Sequence, residues 1–436
     1  MTTPAGCWPG CSSWTRSPWR PDLGDAFNSR EHALRERVGP AAAGWLSAGR
    51  PRREAFRVAL RLSAREGARE LHDAQLDLAD ALLDVASRHA DDLAADYTYL
   101  QPAQPSTVGH LLLAYVYPAL RDAERLRGAG ARLGQSVAGT GGSAGSRWPL
   151  DRARLAELLG CEGLVTHAKD AMWQADPYLE LMAAVAAAAT HCSQLGQDLE
   201  ILASQEFGIA RLADRHSRAS ALMPQKRNPY ALAVIRAQAG AAAGDVAALL
   251  VALHTGSART DHFHVLNGAV PRALEEAVAV TALAAEVVAG LEIDVERWGD
   301  AARRGFTAAA DVADVLAMEG GLDYRTAHTV VGRAVRDLVE AGRPPDELTA
   351  DLLAEAAREV AGRPVALDPD SLAAALDPAA CLGARRQEGS ARPGEVAAMI
   401  VECRERGVAA RALSAAERAR AAEARQELRE RARRLA

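Results

Sequence analysis

Residues 53–94 read REAFRVALRLSAREGARELHDAQLDLADALLDVASRHADDLA. The stretch holds no proline, and apolar residues recur in it at helical spacing: Ala55, Val58, Ala59 and Leu62, then Leu71, Leu76, Leu78, Leu82 and Val85. This periodicity predicts one continuous helix, which at 1.5 Å per residue would be about 60 Å long. A rod of that length cannot bury its apolar stripe against itself, so it requires partner rods.

The neighbouring sequence supplies four. Pro105, Ser106 and Thr107 form a start signal for a second helix running to about Gly130, and the glycine-rich segment Gly139 to Gly145 interrupts the pattern. Unbroken helical patterns follow over Asp176 to Gln205 and Asn228 to Thr255, and a fifth starts after Pro271 and runs to about Leu291. Five long helices predict an all-α bundle whose apolar stripes exceed what one chain buries, and oligomerisation is the expected outlet. After Asp294 turns become frequent, at Gly320-Gly321, Gly342 to Pro345 and Pro369. The expected organisation is therefore a leader over residues 1–24, a short N-terminal domain over 25–52, a central bundle over 53–293, a helical C-terminal domain over 294–404 and a charged helical tail over 405–436. Ser414 to Ala436 is rich in Arg, Glu and Ala, and is expected to be solvated.

Composition narrows the function classes. Aromatic residues make up only 4% of the 436 residues while hydrophobic ones make up 49%, a balance that favours helices over sheets. The 51 basic and 57 acidic residues leave a net charge of −6 and form no block of one sign, which argues against a nucleic-acid partner. The alanine-rich stretch Met182 to Thr190 is the nearest approach to a membrane segment, far short of the roughly 20 residues a span needs. Met1 to Asp22 lacks the basic start and apolar run of a signal peptide, and a disordered leader is expected there. Of the six scattered cysteines only Cys7 and Cys11 are close enough for a local pair, so the expectation is reduced thiols in a cytoplasm and no metal.

The chemistry concentrates in Ser217 to Asn228, Ser-Arg-Ala-Ser-Ala-Leu-Met-Pro-Gln-Lys-Arg-Asn. Lys169 and Lys226 are the only lysines among the 51 basic residues, and a Lys where nearly every cation is Arg suggests a need for a compact ammonium. A loop that ends at a helix N-terminus offers backbone N–H groups and a positive dipole end, which together with Lys226 would hold a carboxylate. The proton on the carbon beside that carboxylate then becomes easier to remove, because charge developing on oxygen meets fixed donors. One ammonium at 4 Å is worth up to about 4 kcal/mol at an effective dielectric near 20, nearly a thousand-fold in rate. Ser220, on the same loop, would take the proton once its hydroxyl is activated.

This segment resembles the signature of the fumarase, aspartase and argininosuccinate lyase superfamily, Gly-Ser-Ser-x-Met-Pro-x-Lys-x-Asn. Asp96 to Pro105, Asp-Tyr-Thr-Tyr-Leu-Gln-Pro-Ala-Gln-Pro, resembles the argininosuccinate lyase branch's Gly-Tyr-Thr-His-Leu-Gln-x-Ala-Gln-Pro, and Phe306 to Gly332 resembles its C-terminal domain. The similarity covers about residues 25 to 403 and begins well inside the family's usual first domain. It implies a fumarase/aspartase-type long-helix bundle assembled as a homotetramer, with active sites each shared among three subunits. It also implies Ser220 as the base, Lys226 and Asn228 as grips on the fumarate-forming carboxylates, Thr98 at the same end, and Met223 beside them. Gln101 and Gln104 match the pattern and are read either as substrate contacts or as packing.

The departures from the family pattern concern the other end of the substrate. Tyr99 stands where the family has His, and Ala233 where it has the Glu that pairs with that His, so both halves of one couple are replaced. Tyr99 is read either as the acid that protonates a leaving group or as a packed side chain. The family's Gly-Arg-Ser-Arg-Asn-Asp is Gly49-Arg50-Pro51-Arg52-Arg53-Glu54 here, and its Tyr-Asn-Arg-Asp-Leu-Gln-Glu-Asp-Lys aligns with Asp261 to Ala269. Asp261, His262 and His264, read as loop residues, are candidates either to contact a new leaving group or to supply the acid, with His262 assigned to substrate binding. The resemblance thus implies a cofactor-free lyase that eliminates an amine from an N-substituted aspartate to give fumarate, or runs the reverse addition. The alternatives are a non-catalytic tetrameric scaffold and a lyase with another leaving group such as nitrite.

Overall fold

The computed structural model describes residues 19–256 and 258–435. Residues 1–18 of the expected leader, with Cys7 and Cys11, lie outside the described residues. The leader's last residues form a turn, with a 3₁₀ helix at Pro21–Leu23 and the Arg20 amide donating to Ser29 Oγ at 3.1 Å. Helix α1, Ala26–Val38, follows; Asp25 caps it by accepting from the Asn28 amide.

The five long rods are α2 (Arg52–Arg88), α3 (Val108–Leu133), α4 (Asp176–Leu202), α5 (Tyr230–Ala252) and α6 (His262–Ala289). Helix α2 lies against α3 and α6, and α4 against α5. Apolar layers fill the spaces between them, around Leu82, Leu113, Leu195, Leu232 and Val287 toward one end and around Leu71, Leu126, Leu181, Leu266 and Leu274 toward the other. Thr107 begins α3 as expected, its Oγ1 accepting from the His110 amide at 3.1 Å.

Three buried arginines at i, i+4 and i+8 of α2 organise one end of the bundle. Arg57 Nε donates to the Met172 carbonyl, Arg61 Nη1 to the Arg132 and Gln135 carbonyls, and Arg65 Nη1 and Nη2 to the Gly160 and Leu159 carbonyls. Each guanidinium thus meets backbone oxygens at a helix C-terminus, where carbonyls lack intrahelical partners and the dipole end is negative. Burial pushes the Arg57 guanidinium down to about 10. One turn earlier the fully buried Glu54 carboxylate accepts from the Gly139 and Gly141 amides, at 2.8 and 3.0 Å, and so folds the glycine-rich interruption onto the start of α2. Gly141 has φ +64°, and a Cβ there would lie 2.5 Å from Ser146 Cβ, so only glycine makes this turn.

Beyond the bundle, α7 (Val295–Arg304), α8 (Ala309–Glu319), α9 (Tyr324–Glu340), α10 (Ala350–Ala361), α11 (Pro369–Leu376) and α12 (Pro378–Ala384) are shorter. Helices α8 to α11 share an apolar core of their own around Leu316, Val330, Leu353 and Ala357.

The structure corrects several details of the sequence reading. Helix α2 stops at Arg88, and Leu93–Thr98 (β1) and Gln101–Thr107 (β2) form an antiparallel hairpin within the otherwise helical fold. Pro271 does not start the fifth helix but lies inside it. The helix begins at His262 because Phe263, Leu266 and Val270 are all buried, which offsets the hydrogen bond that proline forgoes. Asp261, His262 and His264 are therefore at a helix start and not in an open loop. The most membrane-like segment is Tyr230–Ala252 rather than Met182–Thr190; it alone among the described residues is long and apolar enough to cross a bilayer.

The charged tail is not a separate solvated piece. Pro393–Leu435 is one continuous helix, α13, so the expected boundary at 404/405 falls inside it. It lies along α2 and α3, with Arg404 on Asp84, Arg411 on Asp77 and Asp80, Arg418 on Asp73 and Arg420 on Glu162. Few apolar residues are needed where the acids of α2 supply a complementary edge, with Cys403, Ser414 and Ala421 buried beneath. Partly exposed pairs are worth a few tenths to 1 kcal/mol each. A chain shortened to end at Arg404 is therefore expected to lose about 2 kcal/mol in a denaturant titration, whereas a solvated tail would leave the midpoint unchanged.

Candidate active site

The loop between Ala219 and Arg227 is closed at its base by a two-residue antiparallel ladder, Arg218–Ala219 (β3) with Arg227–Asn228 (β4). Three side chains fasten that base: Arg227 pairs with Asp214 at 2.6 Å, Asn228 Nδ2 donates to the Arg218 carbonyl at 3.1 Å, and the Arg218 guanidinium stacks 4.2 Å above the Tyr230 ring. Inside the loop the Ser220 amide donates to the Lys226 carbonyl and the Lys226 amide to the Met223 carbonyl, which brings Ser220 and Lys226 to facing positions.

Ser220 Oγ accepts from two backbone amides, Leu222 at 3.3 Å and Met223 at 3.0 Å. Both donors point at the oxygen that would carry negative charge if the hydroxyl lost its proton, and fixed donors of this kind stabilise such charge. The Lys226 side chain is exposed and has no partner among the described residues. Helix α5 starts two residues after Asn228, at Tyr230, with no side-chain cap, so its first amides and positive dipole end remain unspent beside the loop.

Thr98, Tyr99 and Gln101 occupy the tip of the β1–β2 hairpin, which Trp298 Nε1 anchors by donating to the Ala95 carbonyl at 2.9 Å. The two turn residues Tyr99 and Leu100 have φ of +52° and +62°. A tight two-residue hairpin turn demands that geometry, and without glycine it costs roughly 1–2 kcal/mol per residue. Tyr99 is 99% exposed, so within one chain it is not the packed side chain of the second reading. No hydrogen bond or ring contact joins this tip to the Ser220 loop among the described residues.

His262 lies elsewhere. It is 3% exposed, its Nε2 bonded to the Trp173 carbonyl, and its ring lies 4.5 Å from that of Phe263. Burial and the nearby Arg57 guanidinium push its imidazole below the ordinary value, against the raising effect of the Trp173 carbonyl. The length of α5, about 35 Å for its 23 residues, separates it from Ser220. One chain thus groups Ser220, Met223, Lys226 and Asn228, sets Thr98, Tyr99 and Gln101 on a separate tip, and leaves His262 at the opposite end. No group of three or more His, Cys, Asp or Glu placed to hold a metal occurs among the described residues.

Comparison with known proteins decides the family. Residues 18–244 match the lyase family and residues 306–383 the argininosuccinate lyase C-terminal family. The chain is 37% identical to an argininosuccinate lyase of Natronomonas pharaonis over 383 residues, 86% of this chain and 75% of that protein. This chain belongs to the argininosuccinate lyase family. Another argininosuccinate lyase, from Methanoculleus marisnigri, is 35% identical over 386 residues, 87% of this chain and 76% of its own length. Among solved structures, an EDDS lyase variant with bound fumarate superposes with a TM-score of 0.88 at 28% identity, covering 92% of this chain and 80% of that one. The 3-carboxy-cis,cis-muconate lactonizing enzyme of Pseudomonas putida, at 23% identity and a TM-score of 0.68 over 88% of this chain and 84% of its own, shares the fold.

Against the superfamily pattern, this argininosuccinate lyase family member carries Ala219 for the Gly and Ala221 for the second Ser. The sequence reading also passed over Arg218, Tyr230 and Asp214, which hold the loop's base. An aromatic and a cation flanking the motif on both sides were the available signal.

Proposed function

We propose that this carbon–nitrogen lyase eliminates an amine from an N-substituted aspartate to give fumarate, or a fumarate-like acid, or adds the amine in reverse. The observation that carries this reading is the pair of backbone amides on Ser220 Oγ. They lower the cost of the alkoxide that must take a proton from the carbon next to a carboxylate. The electron pair released moves onto that carboxylate as an aci-carboxylate dianion, met by Lys226, Asn228 and Thr98. It then returns to form the double bond as the C–N bond breaks, and the amine leaves with a proton from an acid. Tyr99 is the candidate acid, and Gln101, Met223 and His262 are candidate substrate contacts. No cofactor is required, since fixed donors hold the intermediate charge.

The working unit in this proposal is a homotetramer with shared sites. Helix α5 is mostly apolar, interrupted by Arg236, Gln238 and Asp245, yet only 17% of its most apolar stretch is buried within the chain, and Val234, Leu250 and Val251 are exposed. Copies of the same chain packed on that face would cover it and bring the hairpin tip, the Ser220 loop and the His262 end together across subunits. The four described cysteines are free thiols, in keeping with a cytoplasmic location. Light scattering in dilute solution should give four times the chain mass; a monomer would undo the shared site.

Ser220→Ala is expected to abolish turnover and leave the assembly intact, because the residue is on a loop outside both apolar layers. Lys226→Arg is expected to be severely impaired although the charge is kept, since a planar fork does not occupy an ammonium's place. Near-normal kinetics of either variant would remove that residue from the mechanism.

The substrate itself is not expected to be argininosuccinate. Asp261, Leu266 and Ala269 stand where the family's arginine-end contacts are, and Leu266 is fully buried in the apolar layer of α6. A site without polar partners for a substrate's buried groups loses several kcal/mol, each 1.4 kcal/mol being about tenfold. Fumarate release from argininosuccinate, followed by ultraviolet absorbance, should be absent or about a thousand-fold below that of an efficient lyase. Fumarate should still bind weakly by calorimetry; failure to bind would count against the proposed reaction.

A further inference from the structure

Under α13, remote from the Ser220 loop, a cavity of about 20 Å³ is lined by Arg65, Arg69 and His72 of α2, Arg127 of α3, and Ser414 and Glu417 of α13. That volume holds one atom-sized ligand. Three nitrogens of its lining residues, Arg65 Nε, Arg69 Nε and His72 Nε2, are buried without a hydrogen-bond partner among the described residues. Arg65 and His72 are 6% and 2% exposed. Their other nitrogens are already committed, those of Arg65 to the Gly160 and Leu159 carbonyls and His72 Nδ1 to Asp73 at 2.8 Å.

Charge at the cavity is unbalanced. Glu162, also in its wall, is tied to Arg420 at 2.9 Å. Two acids then face the three guanidiniums of Arg65, Arg69 and Arg127: Glu66, bonded to Arg69 Nη1 at 3.4 Å, and Glu417, 3.7 Å from Arg69 Nε and 3.9 Å from Arg127 Nη1, both beyond hydrogen-bond reach. A buried donor without an acceptor costs roughly 1–3 kcal/mol, more when it is charged. An acceptor of one negative charge placed here would satisfy the two guanidinium donors, Arg65 Nε and Arg69 Nε, at once and offset the excess positive charge.

We propose that this cavity is a site for one small monovalent anion of halide size, and that the anion seats α13 on the bundle. Ser414 Oγ, donating to Asp73 beside His72, and Glu417 close the cavity from the α13 side, so occupancy and docking of that helix are linked. A ligand held only by the docked form stabilises it in proportion to the logarithm of its concentration.

Two measurements test the proposal on the full-length protein. Crystals grown with bromide as the halide should show an anomalous peak among Arg65, Arg69 and His72. Thermal melting at fixed ionic strength should rise by about 2 °C when chloride replaces gluconate. The rise should vanish in Arg69→Gln and persist in Arg404→Gln, which removes an α13 ion pair away from the cavity. A water-like peak without anomalous signal, or a midpoint indifferent to the anion, would overturn the proposal, as would a rise that survives Arg69→Gln.

Discussion

The contact between the guanidiniums of α2 and the carbonyl ends of other helices is the constraint from which the rest of this bundle follows. Arg57, Arg61 and Arg65 are one helical turn apart and buried, and their hydrogen bonds go to main-chain oxygens at or just past the ends of α3 and of the short helices Arg152–Leu158 and Ala168–Trp173. Carbonyls at a helix end need donors, and a buried cation needs acceptors, so each group resolves the other's desolvation. Replacing any one with an apolar residue of similar size would leave main-chain oxygens unpaired in the interior. The whole connection between α3 and α4 is hung on α2 in this way, with Glu54 catching the Gly139–Gly141 turn from the same helix.

That strut also sets the scale on which the chemistry must be organised. With rods of about 35 to 55 Å, residues at opposite ends of one chain never meet. Ser220 and Lys226 share a loop at the α5 start, the hairpin presents Tyr99 to solvent with two residues at positive φ, and His262 is buried at the far end. A strained turn carrying an exposed aromatic and an apolar helix face left open are both costly in an isolated chain. Both become reasonable when the surfaces they meet belong to further copies, which is why the proposed function is a property of an assembly.

The loop shows how a short motif turns into geometry. Met223 and Pro224 set its curvature, but the position of Ser220 depends on the ladder beneath it and on Arg218, Tyr230, Asp214 and Arg227. The two amides on Ser220 Oγ come from its own next three residues, so the donor arrangement is local and needs no distant partner. The Arg218–Tyr230 stack is worth only about 0.5–1 kcal/mol at an exposed site, enough to bias a small loop without freezing it.

Much of this was legible in the residues alone. Periodicity determined the five rods, since an apolar stripe at 3.6-residue spacing has only one regular conformation that buries it. Thr107 marked the start of α3 through its own hydroxyl, and the placing of Ser220, Lys226 and Asn228 on one loop was readable because their spacing is local. The hairpin over Leu93–Thr107 was not readable because its turn residues, Tyr99 and Leu100, lack the glycine or asparagine that marks such a turn. The passage of α6 through Pro271 and the docking of α13 were not readable because each is decided by partners far away in the chain. Phe263, Leu266 and Val270 hold the first turns of α6 only where the bundle layer receives them, and Arg411 and Arg418 look solvated until Asp73, Asp77 and Asp80 lie opposite. Local periodicity and spacing are written in consecutive residues, whereas burial and charge pairing across some 330 residues exist only once the chain has folded.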